Sequence, residues 1–138
     1  MKEPIWLTRE VVLAVQEKLL VRFGGLAGIR DEGLLDSAIN RPLQSFHYGT
    51  NPSLYELAAA YALGIVKNHP FLDGNKRAGF MAAYTFLGAN GVTIEATEEA
   101  VVIHTLALAA SEIDEADYAA WLKSVCRRPR RAKSSTKS

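Results

Sequence analysis

Apolar residues recur along this chain at helical rather than strand spacing. Val11, Val12, Val15, Leu19 and Leu20 form one stripe behind Thr8, a good capping residue, and the stripe ends at Gly24-Gly25. The glycines at 24, 25 and 28 break the pattern, so residues 22–30 read as a loop or small hairpin. Asp31 then caps a helix over 32–40 with Leu34, Leu35, Ala38 and Ile39 inward, which Pro42 is expected to stop. After a loop over 42–52, Ser53 and Glu56 make a capping box for a helix reaching Asn68. Its alanines permit close packing. A further helix is expected over 76–87. Val92-Thr93-Ile94 reads as a short extended segment, and helices capped by Thr97 and by Ser111 or Asp114 complete the body. The fold class is therefore all-α, with room for one small β-hairpin.

Composition narrows the classes. A chain of 138 residues with 49% hydrophobic and 22% charged residues fits one soluble domain. No apolar run approaches the ~18 residues of a membrane span, and the N-terminus lacks a signal-like apolar run, so a cytoplasmic location is expected. The single cysteine, Cys126, excludes an internal disulfide and a cysteine-rich zinc site. The net charge of +1 hides an uneven distribution: residues 127–138 carry six basic and no acidic side chains, leaving the body, 1–126, acidic. That argues against a domain built to grip nucleic acid, and no specific nucleic-acid partner is expected. The chain divides into a folded domain, 1–126, and a basic tail, 127–138, expected to be disordered.

One stretch gathers chemistry: His69-Pro70-Phe71-Leu72-Asp73-Gly74-Asn75-Lys76-Arg77-Ala78-Gly79-Phe80. Gly74 permits a tight turn that leaves N–H groups exposed at a helix start, a combination suited to phosphate. Lys76 and Arg77 add full charges, and arginine can hold two phosphate oxygens at once. Asp73 is suited to a magnesium ion that bridges phosphates. His69 can take a proton from an attacking hydroxyl. Each residue alone has an ordinary reading as helix cap, turn or solvated face; their crowding makes a phosphate site with a base. Phe71 reads as an anchor of the loop in the core.

The stretch resembles the signature loop of the Fic superfamily, His-Pro-Phe-x-(Asp/Glu)-Gly-Asn-(Gly/Lys)-Arg. More narrowly, residues 5–125 resemble the death-on-curing (Doc) toxins of bacterial toxin–antitoxin pairs, including the upstream block from Gly28 to Ala38 and on through Arg41-Pro42. Two positions depart from the nucleotidylating Fic enzymes: Lys76 replaces a glycine that makes space for phosphates, and Phe80 replaces a second phosphate-binding arginine. Doc toxins share the lysine and bind ATP turned round, with the γ-phosphoryl facing the histidine.

The resemblance implies a kinase that uses ATP and Mg²⁺. It would phosphorylate a threonine or serine of translation elongation factor Tu and so inhibit translation. His69 would be the base, Asp73 the metal ligand and Asn75 the residue that orients the loop and bonds phosphate. Gly74, Lys76 and Arg77 would complete the nucleotide site. The competing readings are transfer of AMP to a protein hydroxyl and a non-catalytic binding module.

The resemblance further implies a cognate antitoxin whose disordered C-terminal segment orders on the toxin. It also implies a flap over 22–30 that pairs with an extended stretch of substrate. The inhibitory Ser/Thr-x-x-x-Glu-(Gly/Asn) motif of autoinhibited Fic proteins is not found, since Thr8 is followed four positions on by Val12 and Thr97 by Val101. Inhibition in cis is therefore not expected. The other polar candidates are weak. His47 and His104 lack metal-ligand spacing, with His104 a satisfied boundary residue, and Cys126 has no activating partner. Arg30 and Asp31 read as a local pair or cap rather than a substrate contact.

Overall fold

Thr8 is extended and accepts a hydrogen bond from Val11 N–H at 3.2 Å, opening α1, Arg9–Phe23. Gly24 closes it, donating its N–H to Leu20 O at 2.7 Å. A computed structural model of the protein describes residues 2–49 and 51–127, and five further helices follow in it. These are α2 (Glu32–Tyr48), α3 (Leu54–Asn68), α4 (Asn75–Ala89), α5 (Glu98–Ala109) and α6 (Glu115–Val125). The caps are those the sequence pointed to. Asp31 accepts from Leu34 N–H, Thr97 accepts from Ala100 N–H, and Ser53/Glu56 form a reciprocal box, as do Asp114/Asp117.

α3 is the axis of the molecule. Leu57, Ala58, Tyr61, Ala62 and Ile65 are all buried, and α2, α4 and α6 pack around them. Small residues set the spacing of these helices. A Cβ on Gly64 would lie 3.0 Å from Ala38 Cα of α2, and one on Gly79 would lie 2.6 Å from Val66 Cγ1, with both helix pairs in close contact. Buried hydroxyls find partners: Tyr61 accepts from Leu7 N–H at 3.0 Å, and Tyr118 bonds Thr105 Oγ1 at 2.9 Å. Burial raises both phenols to about 12, so they stay neutral and structural.

Two expectations are corrected. The second helix does not stop before Pro42 but runs on to Tyr48, so residues 42–48 are helical and not loop. Proline inside a helix removes one N–H bond and crowds the carbonyl four residues back, at a cost of about 3 kcal/mol. Packing offsets that cost: Pro42 is itself buried, and Phe46 meets Trp6 edge-on with ring centroids 5.4 Å apart.

The small β element is also not where a flap would lie. β1 (Thr93–Ile94) pairs antiparallel with β2 (Cys126–Arg127), which takes Arg127 out of the expected tail and onto Thr93. Glu95 pairs with Arg127 at 2.7 Å. The rest of the tail, 128–138, lies outside the described residues. Among the described residues, no helix is long and apolar enough to cross a membrane.

Candidate active site

The helix carrying His69 ends because Pro70 disfavours the right-handed helical region for the residue before it. His69 closes it as a left-handed cap, at φ 50° and ψ 55°, while its N–H still reaches Ile65 O. Arg30 stabilises this end of α3: its Nε donates to His69 O at 2.6 Å and its Nη2 to Asn68 O at 2.8 Å. The arginine is thus a C-terminal cap that sets the histidine's backbone. The residues around it pair with the loop, since Arg30 N–H donates to Pro70 O and Leu72 N–H to Gly28 O, with Ile29 bridged to Phe71. Residues 28–31 are thereby tied to the loop in place of forming a hairpin, while 22–28 stay exposed.

Within the loop, Phe71 is buried and Asn75 holds the turn from inside. Asn75 Oδ1 accepts from Phe71 N–H, and its Nδ2 donates to Phe71 O, both at 3.0 Å. The same amide nitrogen stands 3.5 Å from His69 Nδ1, a contact too long to fix the ring's tautomer. Gly74 takes φ 74°, a left-handed conformation that side chains resist, and leads into α4.

α4 begins with no side-chain cap and no acidic residue in its first turn. Ala78 N–H is the first to find a backbone acceptor, Gly74 O, so the N–H groups of Asn75, Lys76 and Arg77 precede the helix's own bonding. This positive end is what the sequence led us to expect.

Asp73 is fixed from several sides. Its Oδ1 accepts from Gly74 N–H at 2.9 Å, its Oδ2 from Leu26 N–H at 3.2 Å, and its carbonyl from Gln16 Nε2 at 2.8 Å. Gly25 makes the approach possible: at φ 122°, a Cβ there would lie 2.8 Å from Asp73 Oδ2. Arg77 is exposed, with its guanidinium carbon 4.3 Å from the centre of the Phe23 ring. Lys76 is exposed and has no ion-pair or hydrogen-bond partner for its side chain among the described residues.

These groups form one end of a cleft of about 730 Å³ between α1, α4 and α5, whose remaining walls include Phe23, Phe80, Tyr84, Val102 and Leu106. Phe80 is half-buried against Tyr84 and Trp121, so the wall beyond Arg77 is aromatic, not cationic. His69, Asp73, Gly74, Asn75, Lys76 and Arg77 thus come together on one loop and helix start. Sequence reasoning missed Gln16, Phe23 and the Leu26 N–H. Only Gln16 left a signal, as a polar residue at helical spacing from Val12 and Leu19.

The remaining candidates are structural. His104 Nδ1 bonds Ala100 O at 2.8 Å, and its ring stacks on Trp121 at 4.4 Å. Burial pushes the Cys126 thiol up to about 11, which leaves it unreactive at neutral pH. A smaller recess between α2 and α3 contains Arg41 and Lys67, but Arg41 pairs with Glu115 and Lys67 caps Ala109 O, so neither is available to an anion.

The turn carboxylate and the uncapped basic helix start thus line one cleft, and the left-handed His69 precedes them on the same loop. A family model described as "Fic/DOC family" matches residues 6–87. Toxin Doc of Mycolicibacterium smegmatis (strain ATCC 700084 / mc(2)155) is 44% identical over 93 residues, covering 66% of this chain and 68% of that protein. Protein kinase doc of Escherichia phage P1 is 31% identical over 114 residues, covering 83% of this chain and 90% of that protein. The chain belongs to the Fic/DOC family.

Proposed function

We propose that this protein is a Doc-type toxin kinase. It transfers the γ-phosphoryl group of ATP to a threonine or serine hydroxyl of a protein, with elongation factor Tu the expected target, and thereby stops translation in the cytoplasm. The observation that carries the reading is the placement of positive charge. The α4 N-terminus, Lys76 and Arg77 stand together at one end of the cleft, and Asn75 of the same helix start lies 3.5 Å from the His69 ring. Among the described residues no further cation lines the cleft beyond Arg77, where Phe80 does. A terminal phosphate held at the loop end suits this distribution. An α-phosphate presented for AMP transfer would need charge further along.

In the reaction, His69 accepts the proton of the target hydroxyl as its oxygen attacks the γ-phosphorus. The bond from that phosphorus to the β–γ bridging oxygen breaks, and ADP leaves with the electron pair. The N–H groups at the head of α4, with Lys76 and Arg77, stabilise the charge carried by the transferred group and the departing diphosphate. Asn75 keeps the turn in shape by its bonds to Phe71.

Magnesium fits this site in the way it usually binds nucleotides, through one or two carboxylates completed by phosphate oxygens and water. Asp73 supplies one exposed carboxylate, and among the described residues no group of three or more His, Cys, Asp or Glu forms a cage. When bound, the ion would screen the phosphate charge. The apolar reach of the cleft, with Val102 and Leu106 about half exposed, suits the ordered segment of a cognate antitoxin. The exposed backbone of residues 24–27 suits an extended stretch of substrate.

The test uses purified protein, magnesium and elongation factor Tu, with ATP labelled in parallel at the γ or the α phosphorus. Label arriving from the γ position alone supports the kinase. Label from the α position overturns it in favour of nucleotide transfer.

A further inference from the structure

Gln16 is an anomaly in the core face of α1. It is 5% exposed, and its Nε2 donates to Asp73 O at 2.8 Å. A carbonyl oxygen only accepts, so this bond fixes the amide's orientation and turns Oε1 the other way. Oε1 is buried and has no hydrogen-bond partner. The amide lies against the Gly74 turn, since a Cβ built on Gly74 would stand 3.7 Å from Nε2 and 3.9 Å from Oε1. An unpaired buried acceptor destabilises a fold, and an apolar side chain of similar size would fill the same space without that penalty. Such an outlier needs a reason, and here the adjacent group is the loop's one carboxylate residue.

We infer that Gln16 is a positioning residue for Asp73. Its single bond fixes the Asp73 carbonyl, and with it the peptide plane that leads to Gly74. The carboxylate is then oriented by Gly74 N–H and Leu26 N–H. Without the Gln16 bond the turn can rotate about Asp73, and the carboxylate loses the direction that those two N–H groups define. Gln16 thus acts through Asp73 and does not touch the nucleotide. The inference rests on the reading of Asp73 as the magnesium ligand. It adds a residue from α1, outside the signature loop, that sets where that carboxylate points.

The test replaces Gln16 by an apolar residue of similar length, Gln16→Met, with Gln16→Leu made alongside and Val12→Ala as a control on the same helix. Three quantities are read on the full chain: melting temperature, amide hydrogen exchange at Leu26 and Gly74, and calorimetric Mg²⁺ affinity with a non-hydrolysable ATP analogue. Gln16→Met should melt at or above the wild-type temperature, because the orphan acceptor is gone. Exchange at Leu26 and Gly74 should nonetheless quicken, and Mg²⁺ affinity should fall about tenfold to a hundredfold, the usual loss when a residue supporting a metal ligand is removed.

Val12→Ala should melt lower with both site readouts unchanged. Wild-type exchange and Mg²⁺ affinity in both Gln16 variants would overturn the inference, and so would equal shifts in Val12→Ala. A wild-type protein that binds no Mg²⁺ with the analogue would instead count against the kinase reading. The exchange rates at Leu26 and Gly74 would then still decide whether Gln16 holds the turn.

Discussion

Ten of the fifteen residues of α3 are buried, its N-terminus is closed by a reciprocal box, and the Tyr61 hydroxyl is paired with Leu7. A few residues away the pattern reverses. His69 is left-handed, α4 starts without a side-chain cap, Gln16 Oε1 is buried unpaired, and Phe23, Tyr84, Val102 and Leu106 are exposed along the cleft. The scaffold satisfies local propensity, packing and hydrogen bonding together; the site violates each of them in one place. The unpaired N–H groups at the head of α4 and the exposed apolar side chains of the cleft are open to a ligand, whereas Gln16 Oε1 is buried. The stability of α3 thus supports unsatisfied groups near its end.

The contrast can be broken at graded depth, beginning in the scaffold. Phe86 is fully buried between Trp6 and Tyr61, and Phe86→Ala should cost about 3–5 kcal/mol, read as a lower denaturant midpoint with an unchanged slope. Gly79 comes next, because a Cβ there would lie 2.6 Å from Val66 Cγ1 and 3.1 Å from Ala62 O. Gly79→Ala should therefore push α4 from α3 and lose about 1–3 kcal/mol, measured the same way. Since α4 carries Lys76 and Arg77, this variant should also transfer phosphate more slowly than its stability alone explains.

At the boundary, Phe23→Leu removes the ring under Arg77. An exposed cation–π contact is worth about 0.5–1 kcal/mol, so the melting temperature should hardly move. Freed from the ring, Arg77 samples more positions, and KM for ATP should rise several-fold with kcat less affected. Steady-state kinetics at saturating protein substrate reads that split.

Where the sequence was legible, local chemistry decided the outcome. Thr8, Asp31, Ser53, Thr97 and Asp114 each cap the helix they precede, and the stretch from His69 to Arg77 is one loop and helix start. What escaped reading depended on partners distant in the chain. Pro42 looked like a stop because nothing local announces that Phe46 will pack on Trp6, forty residues upstream in sequence. Residues 22–30 read as a loop or small hairpin because nothing local announces that 28–31 pair with the loop at 70–72. Gln16 was a polar residue in an apolar stripe, and only the fold shows that Asp73 O lies beside it.

The smallest effect on stability should accompany the largest effect on chemistry. His69 is exposed, and its bonds to Ile65 O and from Arg30 Nε are made by its backbone. Its ring makes only a long 3.5 Å contact with Asn75 Nδ2, which keeps its bond to Phe71 O, so His69→Ala removes no close buried contact. Its unfolding free energy should stay within about 0.5 kcal/mol of the wild type. Measuring γ-phosphoryl transfer to elongation factor Tu by this variant, on protein whose unfolding transition has been recorded, addresses the central claim most directly. The account predicts loss of transfer from a fully folded protein. Retained transfer at the wild-type rate would contradict it, because the account assigns the hydroxyl proton to His69 and the loop's one carboxylate, Asp73, to the metal.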